Sequence, residues 1–523
     1  MLRSGTGLAF LSRLFWALVL VTLPITSFRF MPFMGSGTFV RPLALYPLAL
    51  LLPVLLVRLK RGEIARPWPG AFTILLAFVL AALAATAVGA TLAPLELRGV
   101  DFFDRALRAI ITLVIGVSFF AAAVWMNQGE EDLKFSVKWL LVGLAADLIW
   151  GAIQYVGLNS GHRKELVQIQ NLFSVRGLVK NKRVSGFAYE PSWLAGQIAA
   201  LYLPWLVAAI LIRYRAFVNG SSGDADQAPA RSNQTLLPGG ETSRRSGPAI
   251  MPTLILWVEP VLLLGGLAGI LLTYSRSGLV IAVLAGVATF ALSGAEAVRF
   301  FWNWVRAGFN RQRWSSLTKG LQAIASRVLL FVLVLAILAG AAVFLADKGY
   351  IAALFKAEKT DIFSFAVDAF LGPRLAYATA ALQEFQDHPW TGVGLGAGGF
   401  GIYQNMPDWV LAGVPEIASQ MSPASNLYPN PKNLFVRLLA ETGIAGLVLF
   451  LAFYMALFAD ALNLHCGSRP ARWLGAAGIF TLVAVMLLGN SQDSFAMPEM
   501  WINLGMLAGA AGAFVAQKSS KEK

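Results

Sequence analysis

The sequence predicts an all-α polytopic membrane protein of about twelve transmembrane helices, and three observations carry that expectation. Hydrophobic residues make up 57% of the 523 positions and charged residues only 13%, roughly half the charge density of a soluble globular domain. The mean hydropathy of +0.65 leaves more apolar side chains than a water-soluble core can hide. Apolar runs long enough to cross ~30 Å of hydrocarbon recur along the chain.

The first run follows a basic start within Met1 to Phe28. Its core is long for a signal peptide, so an uncleaved first span is expected. Further spans are expected near 42–57, 70–93, 107–127, 137–157, 192–212, 252–273, 277–293, 328–346, 434–458, 473–490 and 497–516, after a first at 9–27. The chain thereby divides into residues 1–346 with helices one to nine, a large periplasmic loop at 347–433, and residues 434–523 with helices ten to twelve and a cytoplasmic tail. Within the first part, 214–250 is rich in Ser, Gly, Pro and Asn and reads as a flexible cytoplasmic linker. The long loop holds apolar and Gly-rich stretches that suit short helices.

An even number of spans puts both termini on one side. The short loop Arg58-Leu-Lys-Arg-Gly-Glu-Ile-Ala-Arg-Pro67 and the basic segment 299–327 mark that side as cytoplasmic by the positive-inside rule. Both termini are therefore expected in the cytoplasm. The net charge of +14 has no nucleic-acid motif beside it, so nucleic acid is not an expected partner. Cys466 is the single cysteine, which excludes an intrachain disulfide. His162, His388 and His465 lie far apart without paired ligand spacing, so no metal is expected.

One outer loop runs against the charge rule. Residues 158–190 carry Arg163, Lys164, Arg176, Lys180, Lys182 and Arg183 against Glu165 and Glu190. Contact with lipid headgroups explains such a cluster, and so does an anionic substrate arriving from outside, such as a lipid pyrophosphate. The loop ends in Arg183-Val-Ser-Gly-Phe-Ala-Tyr-Glu-Pro-Ser-Trp193. Pro191 suits a first helical position, and Glu190 then lies at the positive end of the helix dipole, as a cap or as an ionised general base.

Three further strings carry candidate chemistry. Leu272-Thr-Tyr-Ser-Arg276-Ser-Gly-Leu279 is too short a turn to leave the interface. Arg276 is therefore either a snorkelling anchor or, through its guanidinium fork, a phosphate ligand. Gly372-Pro-Arg374 precedes His388-Pro-Trp-Thr-Gly-Val-Gly-Leu-Gly-Ala-Gly-Gly-Phe400. Its G-x-G-x-x-G spacing is not a dinucleotide site, because no strand precedes it and no βαβ unit surrounds it; a tight turn over the site is expected. Asn430-Pro-Lys-Asn-Leu-Phe-Val-Arg-Leu-Leu-Ala-Glu-Thr-Gly-Ile-Ala-Gly446 leads into the tenth span. There Gly443 and Gly446 suit close helix packing, and Glu441 suits a pair with Arg437 four residues earlier.

At these strings the sequence resembles the O-antigen ligase and polymerase (Wzy/WaaL-type) superfamily, over roughly 183–446. The strings are Ser275–Gly278, Arg374…His388-Pro…Gly392-Val-Gly394, and Asn433-Leu…Glu441-Thr-Gly443…Gly446. The resemblance implies a GT-C-like, metal-independent glycosyltransferase needing no cofactor. Its substrates would be an undecaprenyl-pyrophosphate-linked glycan donor and an acceptor glycan, with a chain-length regulator as a further partner.

Ligases of this family carry a His before the Asn that opens the last motif; here that place holds Lys432. The Phe187–Ser192 string is typical of polymerase-like members, which favours a polymerase of O-antigen or exopolysaccharide repeats over a ligase to lipid A-core. Glu190, Arg276 and Arg374 are the expected catalytic residues. Arg183, Tyr189, Tyr274, His388 and Lys432 are the expected substrate-binding ones. A small-solute or bicarbonate-type transporter and a non-catalytic envelope partner are the competing classes.

Overall fold

The computed structural model describes residues 7–32, 39–65, 68–92, 95–178, 182–210, 251–292, 372–425, 427–467 and 469–521, with scattered residues between 302 and 339. The linker at 214–250, most of the span expected at 328–346 and the first part of the long loop lie outside the described residues. At every other expected span there is a helix: α1 (Gly7–Thr22), α2 (Leu45–Lys60), α3 (Gly70–Gly89), α4 (Phe102–Met126), α5 (Glu130–Asn159), then, after the short α6 (Arg163–Phe173), α7 (Pro191–Gln197), α8 (Met251–Leu272) and α9 (Arg276–Leu292). In the long loop lie α10 (Gly372–Asp387), α11 (Gly398–Gln404), α12 (Asp408–Gly413) and α13 (Pro415–Met421), followed by α14 (Leu434–His465), α15 (Arg469–Gly489) and α16 (Ile502–Lys521).

Among the described residues, six helices are long and apolar enough to cross a membrane: α3, α4, α5, the α7 helix continued to residue 210, α14 and α15 from residue 471. α1, α9 and the part of α8 from Val258 are shorter apolar helices. The protein is mostly helical, with the two-residue pair β1 (Glu96–Leu97) and β2 (Val100–Asp101) as its named strands.

Packing between spans is aromatic and close. Phe450 of α14 lies 5.0 Å from Phe78 of α3, and Phe453 lies 5.3 Å from Phe120 of α4. Lipid tails are as apolar as these rings, so contact shape rather than water exclusion holds helices together in a bilayer. α16 shows this plainly. A Cβ on Gly505 would fall 2.5 Å from the Phe120 carbonyl, and one on Gly509 would fall 2.5 Å from that of Val124. Large side chains such as Leu80, Ile149 and Val283 stay exposed, as lipid-facing positions do.

The β1–β2 hairpin turns through Arg98 (φ 58°) and Gly99 (φ 70°), two left-handed residues that give a primed hairpin turn. Asp101 then caps α4, its carboxylate accepting the Asp104 N–H at 2.8 Å. The Arg98 guanidinium donates to the carbonyls of Gln420 and Ser422, each at 2.9 Å, and to that of Leu427. The α3–α4 connection thereby clamps the far end of the loop helices.

α14 is not continuous. Asn433 caps it by accepting the N–H groups of Phe435 and Val436, but at Gly443 the backbone turns to φ 62°, ψ −168°. The segment after His388 fills the break: Val393 N–H donates to Ala440 O, Gly394 N–H to Glu441 O, and Ile444 N–H to Pro389 O, all at 2.9 Å. Backbone groups freed inside an apolar surround must find partners, and the glycine-rich loop supplies them. This corrects the expected role of Gly443. It interrupts a helix where helix–helix packing was expected, and a side chain there would fall 2.3 Å from the Trp390 carbonyl oxygen.

Candidate functional site

The ends of α1, α3, α5, α8 and α15 and the starts of α7, α9 and α14 gather at one end of the bundle, under the loop helices. Residue 190 opens α7 with Pro191 in its first turn. Glu190 does not cap that helix with its side chain. Its carboxylate accepts from Arg176 Nη1 at 2.6 Å and from the Ser192 hydroxyl at 3.2 Å. Both partners of the ion pair are 37% exposed, so water screens it and its net stabilisation is about 1 kcal/mol or less. Tyr189 stands beside it in an aromatic group, 5.1 Å from Trp193 and 5.3 Å from Phe39, with the Arg176 guanidinium 4.9 Å over its ring.

The segment before Glu190 is fixed from below. Gln154 of α5 accepts the N–H groups of Ser185 and Gly186, and donates to the Gly186 carbonyl. Asp147, two turns earlier, accepts the Phe187 N–H at 2.8 Å. Arg183 crosses to the α8–α9 turn, its Nε donating to Thr273 O at 2.7 Å.

That turn is tight. Tyr274 is exposed with φ 49°, and the Ser275 hydroxyl accepts the Gly278 N–H at 3.3 Å, closing the first turn of α9. A Cβ on Gly278 would fall 2.4 Å from that of Ala195, so α9 and α7 start in contact. Arg276, two residues above this contact, and Glu190, five residues above it, therefore belong to one neighbourhood, about 3 and 8 Å up their helices at 1.5 Å per residue.

Arg374 joins them from the loop helices. Arg374 is exposed, yet partial desolvation by its surroundings, then the positive charge of Arg276, lowers its pKa from the ordinary guanidinium range. Two cations held within electrostatic reach repel one another, and an anion between them removes the repulsion. Lys432 approaches the same helix. Its ammonium lies 5.2 Å over the ring of Tyr377, one turn after Arg374, and 3.6 Å from Glu416. Its backbone is left-handed (φ 54°) and its N–H donates to Asp493 Oδ2 at 2.9 Å.

His388 is not brought to this group. It follows the last residue of α10, fourteen positions on from Arg374 and so about 20 Å away at 1.5 Å per residue, beside Pro389, whose carbonyl accepts from Ile444 at the α14 break. The glycine run is likewise not a lid over the cations. It docks against α3, α4 and α14, where a Cβ on Gly392 would fall 2.5 Å from Ala440 O and one on Gly396 would fall 2.4 Å from Arg105 O.

Beside that run lies a buried polar cluster that the sequence reading missed in part. Arg437 Nε pairs with Glu441 Oε2 at 2.9 Å, as the four-residue spacing suggested, and its Nη1 donates to Asp493 O at 2.7 Å. The Arg105 guanidinium lies 3.8 Å over the ring of Tyr428. Glu384 is 5% exposed, and its Oε2 has no partner among the described residues. Burial, reinforced by the neighbouring Glu441, pushes its carboxyl up to about 9. Only the fold reveals Glu384: a Cβ on Gly401 would fall 2.2 Å from its Oε1, so the glycines make its room. Spacing in α10 carries no hint of this.

A mostly helical membrane protein with several candidate spans is the class these features define. Residues 261–451 match the family model described as O-antigen ligase (Wzy_C). The resemblance to O-antigen ligases and polymerases thus holds over a segment containing Arg276, Arg374, the glycine run and the broken helix, somewhat over a third of the chain. The match starts later than the motifs did, leaving Arg183, Tyr189 and Glu190 outside it. No curated protein matches the chain.

Proposed function

We propose that this protein polymerises undecaprenyl-pyrophosphate-linked oligosaccharide repeats at the periplasmic face of the inner membrane. The observation that supports the reading is that Arg276 and Arg374, residues from distant parts of the chain, lie within electrostatic reach of one another. In the reaction, an acceptor hydroxyl oxygen bonds to the donor's anomeric carbon. The bond from that carbon to the pyrophosphate oxygen breaks, and undecaprenyl pyrophosphate leaves with the electron pair. A pyrophosphate already departs readily, so the protein's task is to position the reactants and neutralise the departing charge.

Arg276 and Arg374 hold the pyrophosphate, with Arg183 and Lys432 flanking it. Glu190 accepts the acceptor's proton, and Tyr189 and Tyr274 offer aromatic faces to the sugars. His388, displaced along α10, has no part in this step. Lys432 stands where the family's ligases have a histidine, which supports polymerisation. The family description supports the second reading, a ligase delivering glycan to lipid A-core.

A deletion strain separates the two. Loss of a polymerase leaves lipid-linked single repeats and no long-chain ladder. Full-length polymer stranded on the lipid carrier would identify a ligase instead.

A further inference from the structure

Residues 158–190 read in the sequence as a loop, yet α6 lies back along the span before it. α5 closes at Gly161 (φ 84°), where His162 N–H donates to Gly157 O at 2.9 Å, a left-handed helix end that turns the chain sharply. Leu166 of α6 then covers Gly157, where a Cβ would fall 2.8 Å from Leu166 Cδ1. One turn on, Gln170 Oε1 accepts from Gln154 Nε2 at 3.1 Å and from Trp150 Nε1 at 3.0 Å. The Phe173 ring ends the helix 6.3 Å from that of Trp150. As α6 advances from 166 to 173, its partners on α5 recede from 157 to 150. The two helices are antiparallel, and the end of α6 stands about 10 Å back from Gly157 at 1.5 Å per residue.

That stretch of α5 is apolar on its open side. Its charges Glu130, Glu131, Asp132, Lys134 and Lys138 fall in its first nine positions, and Asp147 beyond them is buried. Val142, Ile149, Ile153 and Val156 are exposed. From Trp139 to Asn159 the helix rises about 30 Å, the thickness of a hydrocarbon core, and the exposed Tyr155 suits its headgroup boundary.

α6 shows the same gradient in reverse. Arg163, Lys164 and Glu165 are its first three residues, and no charge follows in the helix. Leu166 and Gln170 are buried against α5. Ile169 and Leu172 are 43% and 69% exposed, and Val175 just beyond is 37% exposed. Lys164, Gln168 and Asn171, four and three residues apart, form a separate polar flank. Eleven residues are too few to span a bilayer, and a short amphipathic helix of this kind suits the interface. Its two cations lie beside the end of α5, at the level where lipid phosphates begin, and its open apolar side chains lie deeper.

We propose that α6 dips into the lipid leaflet on the Glu190 side of the membrane, its first turn among headgroup phosphates and Ile169, Leu172 and Val175 among acyl chains. The partner is the phospholipid leaflet itself. Arg176, next after Val175, thereby reaches Glu190 from a support embedded in lipid. This stands whether or not the glycan reading does.

The test places a spin label on the full chain, in a Cys466→Ser background that removes its single cysteine. The labelled positions are Lys164→Cys, Ile169→Cys and Leu172→Cys, one at a time, in nanodiscs of phosphatidylcholine and phosphatidylglycerol. Power saturation compares collisions with oxygen, which concentrates among acyl chains, and with a water-soluble nickel chelate. Val283→Cys on the exposed face of α9 is the lipid reference, and Glu416→Cys on α13 is the aqueous one. The labels at 169 and 172 should give the oxygen-to-nickel ratio of the lipid reference, and the label at 164 a ratio between the two references. Because both apolar positions are exposed, either label carries the test if the other disturbs folding. A ratio equal to the aqueous reference at 169 or 172 overturns the proposal, as does a label at 164 as deep as the one at 172.

Discussion

Glu190 accepts from Arg176 and from the Ser192 hydroxyl, and makes no side-chain bond to the backbone N–H groups of the helix it opens. A base role and a capping role therefore predict different outcomes for Glu190→Gln. Glutamine keeps the size and loses the ability to take a proton. General base catalysis is worth ~10²–10⁴-fold, and single-turnover transfer should fall by about that factor. A dipole role alone costs ~1 kcal/mol or less, visible in a melting curve and not in turnover. Normal turnover removes Glu190 from the mechanism. Glu384 makes a second residue-scale prediction. Its carboxyl titrates near 9 when folded, through burial and then Glu441, against an ordinary value of 4.5. The folded protein thus holds a proton that the unfolded chain releases. The stability this contributes is full below pH 4.5, falls as pH rises, and is lost through pH 9. Glu384→Gln, which cannot ionise, should flatten the pH dependence of the unfolding midpoint across that window. A slope equal to wild type would show that Glu384 is ionised in the fold.

At the scale of elements, the broken helix α14 is the feature least expected from the sequence. The pattern of residues 434–458 is that of an uninterrupted apolar helix, and Gly443 reads equally well as a packing glycine. The choice is made by residues some fifty positions earlier, because the backbone of Pro389, Val393 and Gly394 pairs across the break. Short-range spacing is blind to that. The Arg437–Glu441 pair, four residues apart on one helix, was legible because both partners are local. Gly443→Ala tests the break. The φ 62°, ψ −168° conformation is essentially glycine-only and costs of order 1–3 kcal/mol for other residues. The alanine methyl would also meet the Trp390 carbonyl. The expected result is a lower melting temperature and a glycine loop more open to proteolysis. Unchanged stability and cleavage would mean that α14 runs straight.

Across the whole molecule, the membrane class was legible because hydropathy acts residue by residue, and helices stand at every expected span that falls within the described residues. The site was legible in part. Arg183 and Arg276 drew notice as charges where charge is costly, and Arg374 by its place in the loop string; Arg183 reaches the α8–α9 turn, and Arg276 acts electrostatically on Arg374. His388 drew notice by its motif, and the length of α10 carries it away. Glu384 and Asp147 went unremarked, since burial of an isolated acid is decided by tertiary packing. The central claim is that a cationic pair serves a departing pyrophosphate. Its most direct test is single-turnover transfer in proteoliposomes with an undecaprenyl-pyrophosphate-linked repeat, following elongated glycan and released undecaprenyl pyrophosphate together. The account predicts equimolar appearance of the two products in wild type. It predicts loss of about 10²-fold or more in Arg276→Ala and Arg374→Ala, on the scale of removing one charge-stabilising donor, and little recovery in Arg276→Lys, which lacks the planar fork. Wild-type rates in both alanine variants, or no release of undecaprenyl pyrophosphate by wild type, would contradict it.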